Sequence, residues 1–164
     1  MFYSEIAGIG SCVPEKIVTN KELENIVNTS DQWIVDRTGI KERRISTGEK
    51  TYQIALKAAK RAIRQSGIQS SKIDLIILAT ITPDFFTPST ACLIQAELGL
   101  QDIPSFDISA GCTGFIYGLE IADKFIKSGQ SKCILIIGAE VLSKALNWND
   151  RNTCVLFGDG AGAA

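Results

Sequence analysis

The sequence predicts a layered α/β domain, and three patterns carry the prediction. Residues 74–79 and 132–137 are nearly continuous runs of Ile and Leu, the pattern of strands covered on both faces of a parallel sheet. Residues 51–65 place Ile54, Ala55, Ala58, Ala59, Ala62 and Ile63 on one stripe at helical spacing, with Lys57, Lys60, Arg61 and Arg64 elsewhere. A strand-like segment, 103–108, passes through a turn of small residues around Cys112 into a helix-like segment, 115–128. Strands alternating with helices over 164 residues fit one layered domain of ordinary size.

The remaining elements follow in order. Residues 2–13 read as a Gly-interrupted, mostly apolar strand, and Pro14-Glu15-Lys16 as a turn. Asn20 can cap a short helix over 21–27, and Ser30 another over 31–37, with Asp31 favourable in its first turn. Thr38-Gly39 ends that helix, and 40–45 reads as an exposed strand. Gly67 suits the C-terminal cap of the 51–65 helix. A loop over 80–88 leads to a helix over 89–98, and 153–157 reads as a last short strand. Gly158-Asp159-Gly160 reads as a tight turn, followed by small apolar residues that begin another buried strand. Domains more often end in polar or capped segments, so the sequence points to the N-terminal part of a longer protein.

Composition narrows the function. Net charge is −1, which supplies no basic field for nucleic acid, and the run Lys41-Glu42-Arg43-Arg44 reads as a solvated edge. Five cysteines (Cys12, Cys92, Cys112, Cys133, Cys154) contain no CxxC pair, which argues against a metal such as zinc. Their odd number, without a signal peptide, argues against a disulfide framework and for a reducing, cytoplasmic setting. No apolar run reaches the roughly 18 residues of a membrane span.

Two constellations carry chemistry. Cys112 stands in Phe106-Asp107-Ile108-Ser109-Ala110-Gly111-Cys112-Thr113-Gly114-Phe115, where the pattern switches from strand to helix. Unpaired N–H groups and the dipole at a helix N-terminus favour a thiolate, the nucleophilic form of cysteine. The other four cysteines read as small core residues. The chain has no histidine, so Cys112 has no imidazole to act as its base. In the second constellation, Trp33 and Arg37 lie four apart on one helical face. The indole can stack on a base and the guanidinium can meet a phosphate; a core Trp beside a surface Arg is the alternative. Gly158-Asp159-Gly160-Ala161-Gly162 lacks the Lys-Ser/Thr of a P-loop.

These segments together resemble the beta-ketoacyl-acyl-carrier-protein synthase III family, the condensing enzymes that initiate type II fatty acid synthesis. The resemblance runs from Ile6 to Ala164 and rests on four separated motifs in order. They are Thr29-Ser30-Asp31-Gln32-Trp33-Ile34 with Arg37-Thr38-Gly39-Ile40; Pro88-Ser89-Thr90-Ala91-Cys92; the Cys112 segment; and Asp150-Arg151 with Phe157-Gly158-Asp159-Gly160-Ala161-Gly162-Ala163. It implies a thiolase-like fold, of which this chain is one layered αβα half of a five-layered αβαβα arrangement, in a homodimer.

The resemblance implies that Cys112 accepts the acyl group of a short acyl-CoA, with acetyl-CoA expected as primer. It implies malonyl-acyl carrier protein as the second substrate and no permanently bound cofactor. Trp33 and Arg151 would sandwich the adenine of coenzyme A, Thr29 would bond to it, and Arg37 would sit near the phosphates. Leu142 and Phe157 would line the acyl pocket, and the position of Thr87 is often a bulky residue reaching across the dimer. The His and Asn of the condensation step belong to the other half in this family. The chain alone is therefore expected to accept an acyl group and not to complete condensation. It is also expected to expose the face that meets its other half, and so to aggregate or self-associate when isolated. The alternatives are a polyketide starter synthase, a 3-hydroxy-3-methylglutaryl-CoA synthase, and a truncated non-catalytic module. A thiol redox protein is disfavoured because Cys112 has no nearby resolving cysteine.

Overall fold

The computed structural model describes residues 3–164. Among the described residues, seven strands and six α-helices follow in chain order: β1 (Gly10–Cys12), β2 (Ile17–Thr19), α1 (Asn20–Glu24), α2 (Asp31–Thr38), β3 (Glu42–Arg44), α3 (Thr51–Ser66), β4 (Leu75–Ala79), α4 (Thr90–Glu97), β5 (Ser105–Ile108), α5 (Gly114–Lys127), β6 (Ile134–Val141), α6 (Arg151–Cys154) and β7 (Asp159–Ala163). Five strands form one mixed sheet in the order β1-β7-β6-β4-β5. β4 is parallel to β5 and β6, whereas β7 is antiparallel to β6 and β1. β2 and β3 form a separate antiparallel pair.

The layered αβα arrangement expected from the sequence is borne out. β4 is buried along its whole length because both of its faces are covered. Ile76 and Leu78 pack with the α3 stripe and with Ala91 and Ile94 of α4. Leu75 and Ile77 pack on the other face with Ala122, Phe115 and Leu119 of α5. The alternation of strand side chains thus distributes one apolar run between two cores. α3 approaches β1 so closely that a Cβ on Gly10 would lie 2.3 Å from the Ala58 carbonyl oxygen. Only glycine fits there. A third core beneath the β2–β3 pair gathers Val18, Leu23, Ile34, Cys154 and Val155.

Five sequence expectations need correction. The strand expected over 2–13 is confined to Gly10–Cys12, and Phe2 lies outside the described residues. Tyr3, Ile6 and Ile9 are exposed rather than paired. The cap of α1 is Thr19, in a capping box with Glu22, while Asn20 is buried and donates to Asp31 (2.8 Å) and to the Ile40 carbonyl (2.7 Å). Arg43 is not a solvated edge residue: it lies 6% exposed on the inner face of β3. Residues 153–157 are not a strand, because Asp150 accepts from the Asn152 N–H at 2.9 Å and starts α6. The Gly-Asp-Gly segment does not form a turn but begins β7.

Asp159 is buried as β7 begins. Its carboxylate accepts from the Ser46 N–H (2.6 Å), the Ser143 N–H (2.9 Å) and the Ser143 hydroxyl (2.6 Å). One buried acid therefore ties the loop before α3 and the turn after β6 to the sheet. A strand is favoured there by three donors from two distant residues, Ser46 and Ser143, rather than by local propensity.

All five cysteines are free; Cys12 and Cys154 are buried, Cys92 and Cys133 half-buried, and Cys112 exposed. Burial, reinforced by the negative charge of Asp74, pushes the Cys133 thiol above its ordinary pKa. Burial, reinforced by Asp150, does the same for Cys154, with Arg43 opposing. A raised folded-state pKa means that the unfolded thiols ionise first, above roughly pH 8.5. Their contribution is fully present below that pH and is lost as pH rises towards the folded pKa values. Melting temperature should therefore fall above about pH 8.5 more steeply in the unchanged chain than in a Cys133→Ala/Cys154→Ala variant. Parallel slopes would contradict this.

Candidate acyl-transfer site

Cys112 sits in a single 3-10 turn, Gly111–Thr113, between β5 and α5. Gly111 takes a left-handed φ of +56°, which turns the chain sharply out of the strand end. Behind it, Gly114 is buried, and a Cβ there would stand 3.0 Å from that of Ala79. The turn is thereby seated against the end of β4. An open cavity of about 250 Å³ lies at Cys112, bordered by Ala79, Gly138, Gly160 and Gly162. These small residues of β4, β6 and β7 leave room for a ligand to approach the sulfur. Cys112 is the exposed thiol; of the four cysteines read as core residues, Cys12 and Cys154 are buried, whereas Cys92 and Cys133 are only half-buried.

Glu140 also borders this cavity, and sequence reasoning missed it. It accepts from the Ile81 N–H at 2.8 Å and from the hydroxyls of Thr80 and Thr82. It thus pins the start of the loop that carries Phe85, Phe86 and Thr87, all exposed. The signal was present: a single carboxylate in the otherwise apolar strand Ile134–Val141. Asp107, two residues before Ser109, accepts from the Thr90 and Ala91 N–H groups at 2.7 Å each and fixes the start of α4 beside β5.

The second constellation brings Trp33, Arg37 and Arg151 together. The guanidinium carbons of Arg37 and Arg151 lie 4.4 and 4.8 Å from the Trp33 ring centroid. Arg37 comes from the same helix, one turn on, whereas Arg151 begins α6 and donates to the Asn28 carbonyl at 3.0 Å. Ser30 caps α2 by accepting from the Trp33 N–H at 3.1 Å, which sets the indole at the first turn. Thr29, between Asn28 and this cap, has a buried hydroxyl oxygen without a hydrogen-bond partner. Buried polar atoms are nearly always paired, so this oxygen has capacity for a ligand donor.

The structure leaves the other expected pocket residues apart from Cys112. Leu142 and Phe157 lie just beyond the Val141–Asp159 end of the β6–β7 ladder, half-buried and outside the cavity lining. Thr87 is exposed and also outside it. Among the described residues, no cluster of His, Cys, Asp and Glu could hold a metal ion, and no helix is long and apolar enough to cross a membrane.

Comparison with known proteins places this geometry. A family model described as 3-oxoacyl-[acyl-carrier-protein (ACP)] synthase III matches residues 106–164, the segment containing Cys112. The beta-ketoacyl-[acyl-carrier-protein] synthase III of Clostridium novyi (strain NT) is 57% identical over 164 residues, covering 100% of this chain and 51% of that protein. The crystal structure of 3-oxoacyl-[acyl-carrier-protein] synthase III from Aquifex aeolicus VF5 superimposes with a TM-score of 0.95 at 57% identity, over 97% of this chain and 52% of its own. The priming beta-ketosynthase of the R1128 polyketide biosynthetic pathway gives the same TM-score at 37% identity, over 99% and 49%. The chain spans about half the length of the curated relatives it matches. Over its whole length the chain is similar to beta-ketoacyl-[acyl-carrier-protein] synthase III proteins, each of which it matches over about half of their length.

Proposed function

We propose that this chain is the acyl-accepting half of a condensing enzyme that initiates type II fatty acid synthesis. The observation that carries the reading is the exposed thiol of Cys112, held at the head of α5 in a cavity bordered by glycines. The Cys112 thiolate attacks the carbonyl carbon of a short acyl-CoA, with acetyl-CoA the expected primer. A new S–C bond forms, the tetrahedral oxyanion collapses, and the C–S bond to coenzyme A breaks, releasing the CoA thiolate, which takes a proton from water. The backbone N–H of Cys112 is one donor to that oxyanion.

Trp33, Arg37, Arg151 and Thr29 form the nucleotide end of this reading. A base stacked between Trp33 and Arg151 needs roughly 7 Å between them, two stacking distances. The present 4.8 Å is shorter, so adenine entry displaces Arg151 outward, and its exposure at the start of a four-residue helix permits this. Thr29 then gains its missing partner, and Arg37 meets the phosphates. Leu142 and Phe157 serve the acyl pocket, and Thr87 reaches towards the partner of a homodimer. The second substrate, malonyl-acyl carrier protein, is decarboxylated and condensed by a His and an Asn of a second half-domain. Residues 1–164 contain no histidine and stop at the acyl-enzyme. The setting is cytoplasmic, and acyl-CoA is a substrate rather than a resident cofactor.

A starter-unit polyketide synthase is the second reading, favoured by the 37% identity to the priming ketosynthase. Both readings share the CoA site, so the first test addresses it. Titration with coenzyme A should quench Trp33 fluorescence, measured in a Trp148→Phe background. Arg151→Ala should weaken binding about tenfold, as expected for loss of a stacking cation of 1–2 kcal/mol. Equal affinity for coenzyme A and for pantetheine, which lacks the nucleotide, would contradict the assignment.

A further inference from the structure

The cavity at Cys112 is bordered by alanines, glycines and Phe115, with one ionisable side chain besides the thiol, Glu140. A free carboxylate at that border opposes the proposed chemistry twice. It repels the attacking thiolate, and then the oxyanion that forms. Glu140 is half-buried, one residue before the end of β6. Among the described residues no Lys or Arg forms a salt bridge with it, and Lys144 lies instead 3.7 Å from Asp84.

Hydrogen bonds take the charge instead. Oε1 accepts the Ile81 N–H at 2.8 Å, and Oε2 accepts the hydroxyl of Thr82 and, at 3.3 Å, that of Thr80. The three donors are consecutive and directly follow Ala79, which borders the cavity. They are braced in turn. The Thr82 hydroxyl oxygen accepts the Val141 N–H at 3.0 Å, and that of Thr80 accepts the Thr82 N–H at 3.1 Å. The Thr51 hydroxyl donates to the Thr82 carbonyl at 2.6 Å, so the start of α3 holds the segment from the other side. Asp84 strengthens that hold by accepting from the Thr51 and Tyr52 N–H groups at 3.0 and 2.7 Å.

The other charges on the elements around the Cys112 turn are occupied away from it. Asp107 of β5 is taken by the first N–H groups of α4, and Asp159 of β7 by Ser46 and Ser143. β4 has no charged residue, and α5 has none before Glu120, which pairs with Lys124 at 2.8 Å. The charge of Glu140 is the one at the cavity border.

We propose that Thr80-Ile81-Thr82 is a latch that turns the Glu140 carboxylate away from Cys112, and that Glu140 is a positioning residue rather than a base for the thiol. Latched, it joins β6 to the loop after β4 while the space at the sulfur stays free of negative charge. The purpose of the latch rests on the acyl-transfer reading; the placement of the charge does not.

The test alkylates Cys112 with neutral iodoacetamide and with iodoacetate, an anion of nearly the same size, and reads each rate from the Cys112 peptide. Their ratio cancels access and thiolate fraction and reports the charge at the cavity. Thr82→Val removes one donor to Oε2 and should lower the iodoacetate-to-iodoacetamide ratio roughly two- to fivefold, the scale for one charge released several ångströms away. Thr82→Val/Glu140→Gln should restore the ratio of the unchanged chain, and acyl transfer from acetyl-CoA should fall and recover in parallel. Buried Cys12 and Cys154 stay unlabelled in a folded chain. If Thr82→Val exposes them, Thr80→Val is read in its place, with a smaller fall in the same direction. An unmoved ratio in the folded variant would overturn the inference, as would a fall that Glu140→Gln does not reverse. Glu140→Gln alone raising the ratio as far as Thr82→Val lowers it would also overturn it, because the charge would already face the sulfur. A ratio that falls and recovers in a chain that never accepts an acetyl group would uphold the latch and strike the acyl-transfer reading.

Discussion

Cys112→Ala is expected to reduce acyl transfer from acetyl-CoA to background, a loss of about 10³-fold or more, because the covalent step has no other nucleophile. The same change should move stability by no more than about 0.5 kcal/mol, since the side chain is exposed and packs little. The two outcomes separate a chemical role from a structural one. Cys112→Ser sharpens the test: a hydroxyl keeps the position but is far less ionised, so transfer should remain close to background. The measurement is release of free coenzyme A thiol per mole of protein. Transfer that persists in Cys112→Ala, through Cys92 or Cys133, would show that presentation at the head of α5 is not what selects the nucleophile.

Arg43→Met is expected to cost about 3 kcal/mol, the scale for breaking a buried hydrogen-bonded charge. Arg43 donates to the Val18 carbonyl (3.1 Å), the Asn20 side-chain oxygen (2.9 Å) and the Val155 carbonyl (3.1 Å). It thus joins β2, the start of α1 and the link from α6 to β7. Burial lowers the guanidinium pKa from its ordinary value, a sign that the site holds the charge at a desolvation cost. Methionine keeps much of the volume but leaves three oxygens without their donor. Melting temperature should fall by roughly 6–12 °C for a domain of this size. A change under about 1 kcal/mol would show that water replaces the guanidinium there. Because α6 carries Arg151, the variant should also weaken coenzyme A binding if the nucleotide site is as assigned.

The elements legible in the sequence are those whose pattern is local. The α3 stripe reports a helix because each turn repeats the same burial, and Gly67 closes it with φ +69°. β4 is legible because two covered faces demand an unbroken apolar run. Cys112 could be found because strand, small-residue turn and helix are consecutive. What could not be read depended on distant partners. The segment Thr153-Cys154-Val155-Leu156-Phe157 has the composition of a strand, but Asp150 caps a helical turn and Cys154 and Val155 are claimed by the β2–β3 core. Arg43 looks solvated in a run of charges until β3 turns it inward onto three oxygens. Asp159 looks like turn chemistry until Ser46 and Ser143 take its carboxylate. In the site, the Trp33–Arg37 pair was visible at helical spacing. The approach of Arg151 to Trp33, across more than a hundred residues, was legible only through the family resemblance.

The most direct measurement is the mass-mapped site of acylation after incubating the purified chain with acetyl-CoA. The account predicts a single acetyl group, labile to hydroxylamine, on the peptide containing Cys112, with one equivalent of free coenzyme A and no 3-ketoacyl product when malonyl-acyl carrier protein is added. No adduct, an adduct on another cysteine, or a 3-ketoacyl product from this histidine-free chain would contradict it.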